Sequence, residues 1–166
     1  MCYSNFENIN KTRIFVVITK TEGVFLMKKM VYIAGPLFSQ AELDFNEKVD
    51  ESLRELGYDT FLPQRDGNKL SDLISEGKSK NNAVKTIFAL DVEKIKKSDI
   101  LLLILDGRVP DEGACVELGI AYALKKECVG LKTDSRSLMD NLDNPLILGV
   151  LEGKIAESIN DLRNYF

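Results

Sequence analysis

Apolar and polar positions alternate along this chain in two rhythms, and the stretch Ile100 to Lys126 anchors them. Ile100 to Leu105 is an unbroken apolar run, the pattern of a strand covered on both faces. Asp106-Gly107 ends it. Pro110-Asp111 then places a proline and a good N-cap before a mostly small or apolar helix, with Glu117 one to two turns inside. Upstream, Met30 to Ala34 predicts a short buried strand closed by the tight turn Gly35-Pro36. Ser39 is the N-cap of a predicted helix to about Leu56. Phe45, Val49, Leu53 and Leu56 recur there at helical spacing, and Gly57 stands at the C′ position. Tyr58 to Leu62 predicts a second strand, ended by Pro63-Gln64-Arg65-Asp66-Gly67.

Residues 67–82 are polar throughout and predict a mobile surface segment with one short helix around Leu70 to Ile74. Asn82 to Lys97 predicts a helix whose buried side carries Val84, Ile87, Phe88 and Ile95. After the anchoring strand and helix, Cys128 to Leu131 predicts a fourth strand and Lys132 to Asn141 a polar loop. Pro145 to Leu151 reads as a turn of helix or an extended run, and Glu152 to Phe166 as a terminal amphipathic helix. Strands alternating with helices predict an α/β domain with a parallel sheet and right-handed crossovers. Such sheets bind ligands beyond the carboxyl ends of their strands. Asp106, Asp111 and Glu117 fall in that place.

Residues 1–27 stand apart from the single domain expected over residues 28–166. Arg13 to Ile18 is strand-like, and Gly23 to Met27 could pair back on it through Lys20-Thr21-Glu22. Thr19 and Lys20 interrupt the apolar run and no small-residue cleavage site follows, which argues against a secretory signal. No stretch reaches the ~20 apolar residues of a membrane span. Met27-Lys28-Lys29-Met30 resembles a natural start. The expectation is therefore an extension created by an upstream start codon, with an extra hairpin or arm as the rival reading.

Composition narrows the function. A chain of 166 residues, 45% hydrophobic and 29% charged, has the make-up of one soluble globular domain. A net charge of −4 and the lack of a long basic cluster argue against a nucleic-acid partner and for small molecules. Histidine is absent, which removes the commonest general base and metal ligand. Cys2, Cys115 and Cys128 are widely spaced and suggest neither a disulfide framework nor a zinc site. Carboxylates must carry any acid–base chemistry, and no metal or cofactor is expected.

The Gly-rich nucleotide and phosphate loops and the GxSxG elbow are absent, and Gly35-Pro36 alone is a weak phosphate signal. Taken singly, Asp111 has the plain role of a helix cap and Asp91 that of a solvated helix face. Glu117, set between Val116 and Leu118 on an otherwise apolar helix, needs a partner or a function. Together these residues change the picture. The ordered motifs Tyr32-Ile-Ala-Gly35-Pro36-Leu-Phe38, Leu62-Pro63-Gln64-Arg65-Asp66, Phe88-Ala-Leu-Asp91, Leu105-Asp106-Gly107-Arg108, Asp111-Glu-Gly113 and Glu117-Leu-Gly119 resemble the nucleoside 2-deoxyribosyltransferase family from residue 30 to about residue 150.

That resemblance implies a flavodoxin-like (Rossmann-like) open parallel sheet of about five strands with helices on both faces. It implies a cytoplasmic, homo-oligomeric enzyme of nucleotide salvage that exchanges the base of a 2′-deoxynucleoside, its partners being 2′-deoxynucleosides and free purine or pyrimidine bases. Glu117 would attack the anomeric carbon, Tyr32 would hydrogen-bond and aim it, and Asp91 and Asp111 would contact substrate and move protons on the base. Gln64 would recognise the base, with Arg65, Asp66 and the 67–82 segment lining its pocket. Gly35, Phe38, Asp106 and Gly107 would border the substrate, and Asn144, or alternatively Asn141, would reach a neighbouring subunit's sugar 5′-hydroxyl. The chemistry is that of a retaining glycosidase, with two displacements, a covalent sugar–enzyme intermediate and hydrolysis as side reaction. One rival resembles the 2′-deoxynucleoside 5′-monophosphate N-hydrolases. Those need a phosphate pocket, and a carboxylate at position 111 would repel a phosphate ~4 Å away by roughly 1 to 4 kcal/mol per charge pair. The other rival is a non-catalytic nucleotide-binding module on the same fold.

Overall fold

The structure, a computed structural model, describes residues 28–136 and 142–166. The expected N-terminal extension lies outside the described residues, as do Asn141 and the end of the 132–141 loop. Five parallel strands form one open sheet in the order β2-β1-β3-β4-β5. They are β1 (Met30–Ala34), β2 (Asp59–Phe61), β3 (Ile100–Ile104), β4 (Glu127–Leu131) and β5 (Ile155–Ala156). Between them run α1 (Gln40–Glu55), α2 (Pro63–Asp66), α3 (Leu70–Ser75), α4 (Lys80–Lys97), α5 (Glu112–Ala123) and α6 (Pro145–Leu151), with a 3-10 segment at Ile159–Asn164. This is the flavodoxin-like α/β architecture, and no described helix is long and apolar enough to cross a membrane.

β3 is central and buried along its whole length, which is why it reads as continuous Ile and Leu. Period-two alternation in β1 sends Val31 and Ile33 to one face, against Val49 and Leu53 of α1 and Leu162 of the 3-10 segment. Tyr32 and Ala34 go to the other face, with Ile95 of α4 and Ala114, Leu118 and Ala121 of α5. The α1 boundaries follow their signals. Ser39 and Glu42 form a capping box. Gly57, at φ +95°, closes the helix with Tyr58 N–H donating to the Leu53 carbonyl and Gly57 N–H to that of Arg54.

Three expectations are corrected. The helix after the polar segment starts at Lys80 under a Ser79 cap, and its buried residues are Ala83 and Ile95. Val84 and Phe88 are 51% and 60% exposed, because α4 turns that side to a groove rather than to the sheet. The terminal amphipathic helix does not form. Glu152 and Gly153, both at positive φ, end α6, and Ile155–Ala156 instead pair with Gly130 and Leu131. Sheet completion outweighs helical periodicity there, and Leu162 still reaches the core from a Ser158-capped 3-10 turn. The second strand is shorter than read, because Pro63 opens α2 at once.

An ion-pair network gathered around the buried Asp50 pins that α2 turn. Asp50, only 6% exposed, accepts from Arg65 Nη1 at 2.6 Å, pairs with Arg54 Nε at 3.0 Å and accepts from the Thr60 hydroxyl. Arg65 also clasps Asp66 through Nε and Nη2, and Asp66 in turn accepts from Leu62 N–H. Asp50 is the buried member, while Arg54 and Arg65 are exposed enough to stay hydrated without it, so its loss forfeits charge-assisted hydrogen bonds rather than stranding a buried charge. Asp50→Ala should lower unfolding stability by about 1–2 kcal/mol in urea titration; a loss under about 0.5 kcal/mol would place the network among surface pairs of little consequence.

Candidate active site

The chain leaves β1 for β2 on one side and returns to lay β3 on the other, so the sheet has its switch point between β1 and β3. A cleft of about 200 Å³ opens beyond the carboxyl ends of these strands. Gly35 and Phe38 border it from the β1–α1 loop, Asp91 from α4, and Asp111 and Glu117 from α5. Tyr32 lies beneath, fully buried, and its hydroxyl donates to Glu117 Oε1 at 2.6 Å. The Phe61 ring, on the neighbouring strand in register with Tyr32, stacks on the phenol at 5.2 Å and holds it in place. Gly35 sits in a tight place: a Cβ there would stand 3.0 Å from Ile104 Cδ1 and 3.1 Å from its Cβ, so a larger residue would make Ile104 give way at the end of β3.

Burial sets the electrostatics. It pushes Glu117 up to about 7, with smaller upward pushes from the Asp91 and Asp111 charges, against which the Tyr32 hydrogen bond pulls down. Burial likewise raises Asp91 above the usual carboxylate range. Tyr32 is raised by burial and by the Glu117 charge, so it stays a donor. Asp111 caps α5, its Oδ1 accepting from Ala114 N–H at 2.8 Å. The cleft thus gathers a carboxylate with one oxygen held by a buried phenol and two further acids, one of them desolvated. Such a set can form a bond to carbon at one oxygen and hold or release a proton nearby.

The other expected residues sit elsewhere. Asp106 ties the end of β3 to that of β4, accepting from Thr133 N–H and hydroxyl, while Gly107 N–H donates to Asp134 at 2.9 Å. Both border a larger hollow of about 580 Å³ on the far side of Asp111, which does not contain Glu117. Gln64 turns away from the cleft, its amide nitrogen donating to the Leu43 carbonyl at 3.0 Å and its oxygen accepting from Asn46. Arg65 pairs with Asp50 and Asp66 rather than lining the cleft, whereas Gly67 and Asn68 of the same segment do line it. Asn144 caps α6 through Leu146 N–H and lies outside the cleft. No sequence signal singles out Leu37 or Pro63, which also line it.

The sequence profile of the nucleoside 2-deoxyribosyltransferase family matches residues 31–161. Among solved structures, a conserved protein from Enterococcus faecalis V583 is similar at 30% identity and a TM-score of 0.69, covering 83% of this chain and 96% of its own. A 2-deoxyribosyltransferase from Bacillus psychrosaccharolyticus is similar at 28% identity and 0.65, covering 82% and 92%. A CMP N-glycosidase from Clostridium botulinum, at 20% identity and 0.51, covers 83% and 100% and shares the fold. No curated protein matches by sequence.

The raised Glu117 makes a stability prediction. The folded protein holds this proton more tightly than an unfolded chain, whose Glu titrates near 4.5, so ionising it costs stability. The cost is absent below about pH 4.5, grows as pH rises and is complete above about 7. Glu117→Gln, neutral throughout and still able to accept from Tyr32, should equal wild type in stability at pH 4 and exceed it by roughly 1–3 kcal/mol at pH 8. Denaturant titrations at both pH values check this, and a difference independent of pH would contradict it.

Proposed function

Because the chain belongs to the nucleoside 2-deoxyribosyltransferase family, we propose that it moves a 2-deoxyribosyl group between nucleobases by double displacement at Glu117. The observation that carries this reading is the Tyr32–Glu117 hydrogen bond, 2.6 Å long, at the floor of a cleft that also holds Asp91 and Asp111. In the first displacement the Glu117 carboxylate attacks the anomeric carbon as the C–N bond breaks. Asp91, whose raised affinity for a proton suits it to the task, protonates the departing base. In the second, an incoming base attacks the glycosyl ester and returns the carboxylate, giving up its proton to the same acid; water in its place gives the free sugar. The Tyr32 hydroxyl takes charge off one carboxylate oxygen and fixes the direction of the other. Asp111 contacts the sugar or base while capping its helix.

Free nucleosides, rather than 5′-monophosphates, fit the charge around the cleft. Asp111 stands at its edge, and Asp106, Glu112 and Asp134 line the adjoining hollow beside Arg136. A phosphate dianion would meet that acidic wall at a cost. The proposed steps use the chain's own acids and need no added cofactor.

The site as one chain builds it is open on the α4–α5 side. Val84, Phe88 and Val116 are all more than half exposed along an apolar groove of about 350 Å³ that runs up to Asp91 and Glu117. Monomers seldom leave such a patch uncovered. A second copy of the chain is its proposed cover, with Asn144 of a neighbouring copy reaching the sugar 5′-hydroxyl.

Incubation with 2′-deoxyinosine and adenine should yield 2′-deoxyadenosine, and Glu117→Ala should slow this by at least about 10³-fold without unfolding the protein. Release of free sugar alone, or hydrolysis of a 2′-deoxynucleoside 5′-monophosphate in preference, would overturn the assignment. In light scattering the wild type should be oligomeric and Phe88→Asp should dissociate it with loss of exchange; a fully active monomer would remove the shared site.

A further inference from the structure

Asn46 is buried on α1, 1% exposed, at a position where helical periodicity calls for an apolar residue between Phe45 and Val49. Its Nδ2 donates twice, to the Pro36 carbonyl at 2.9 Å and to Gln64 Oε1 at 3.1 Å. Pro36 belongs to the β1–α1 loop, whose neighbours Gly35, Leu37 and Phe38 line the Glu117 cleft. Gln64 belongs to the α2 turn, whose Pro63 and Gly67 also line it. The Gln64 amide nitrogen is anchored in turn to the Leu43 carbonyl, also on α1. One side chain thus ties two loops that line the cleft to a single helix.

The arrangement has a cost. Asn46 Oδ1 is buried with no hydrogen-bond partner among the described residues, and an unpaired buried acceptor costs stability. Turning the amide over would face Oδ1 towards the Pro36 carbonyl and Gln64 Oε1, both acceptors, so the orphan is intrinsic to the geometry. A leucine would remove that orphan but leave the Pro36 carbonyl and Gln64 Oε1 without their donor, so what asparagine supplies here is the pair of donors.

We infer that Asn46 is a positioning residue for the transfer reaction: it sets the spacing of the two loops that receive the nucleoside and touches no substrate itself. The inference rests on the cleft being the substrate site proposed above. Because Asn46 acts on the walls and not on Glu117, its loss should weaken substrate binding and leave the chemical step nearly intact. It also accounts for Gln64, whose side chain is spent on α1 in this structure and holds a wall in place.

The test compares wild type, Asn46→Leu and, in case leucine prevents folding, Asn46→Ala. Asn46→Leu should still unfold in a single cooperative transition, its denaturant midpoint lowered only modestly by the two lost hydrogen bonds. Its KM for 2′-deoxyinosine should rise about 10-fold or more with kcat within about 3-fold, and the acid limb of its pH profile should stay where wild type has it. Amide exchange should quicken at residues 37–39 and 65–68 and remain unchanged in α4 and β3. A parallel loss of stability and kcat, or unaltered exchange in both loops, would overturn the assignment. If wild-type protein fails to exchange bases at all, the substrate reading falls, while the exchange data still decide whether Asn46 holds the two loops.

Discussion

The site depends on one contact across the layers of the fold, the hydrogen bond from Tyr32 in the sheet to Glu117 in the helix above it. A carboxylate placed there resists ionisation because water is largely excluded, and the phenol returns part of what burial takes away. For the pair to meet, β1 must lie beside β3, α5 must pack on the face that Tyr32 points to, and the β1–α1 turn must stay slim enough to leave the carboxylate reachable. Strand alternation, the small residues of α5 and Gly35 each satisfy one of these conditions. The strand order that brings β1 beside β3 also makes the switch point where the cleft opens.

Much of this was legible in the chain because local chemistry and the final fold agree there. The Ile100 to Leu105 run, the Ser39 cap, Gly57 and the Pro110-Asp111 start each signal their element by a physical rule, and each element forms close to where the rule puts it. Where local rules and tertiary demands conflict, the tertiary demand wins. Residues 152–166 have helical periodicity, yet β4 offers Gly130 and Leu131 as an open edge and the chain supplies a fifth strand instead. Val84 and Phe88 have the spacing of a core stripe, but α4 turns them outward.

The site was legible in part, for a related reason. Glu117 is conspicuous because an acid among small apolar helix residues demands explanation, and Tyr32 and Asp91 gain meaning only when the fold brings them within reach of it. Asp106 and Gln64 are polar groups whose partners are distant in sequence. The structure gives the first to Thr133 and the second to Leu43 and Asn46, contacts that no local pattern encodes. Asn46 carried the only local signal of that network, a polar residue on the buried stripe of an amphipathic helix.

The proposed mechanism turns on a covalent bond between Glu117 and the sugar during base exchange. Protein denatured during turnover with 2′-deoxyinosine and mapped by peptide mass spectrometry tests it directly. One 2-deoxyribosyl group is expected on the peptide bearing Glu117, lost on adding adenine before the quench and absent from Glu117→Gln. Base exchange proceeding with that peptide unmodified, or the sugar found on another residue, would contradict it.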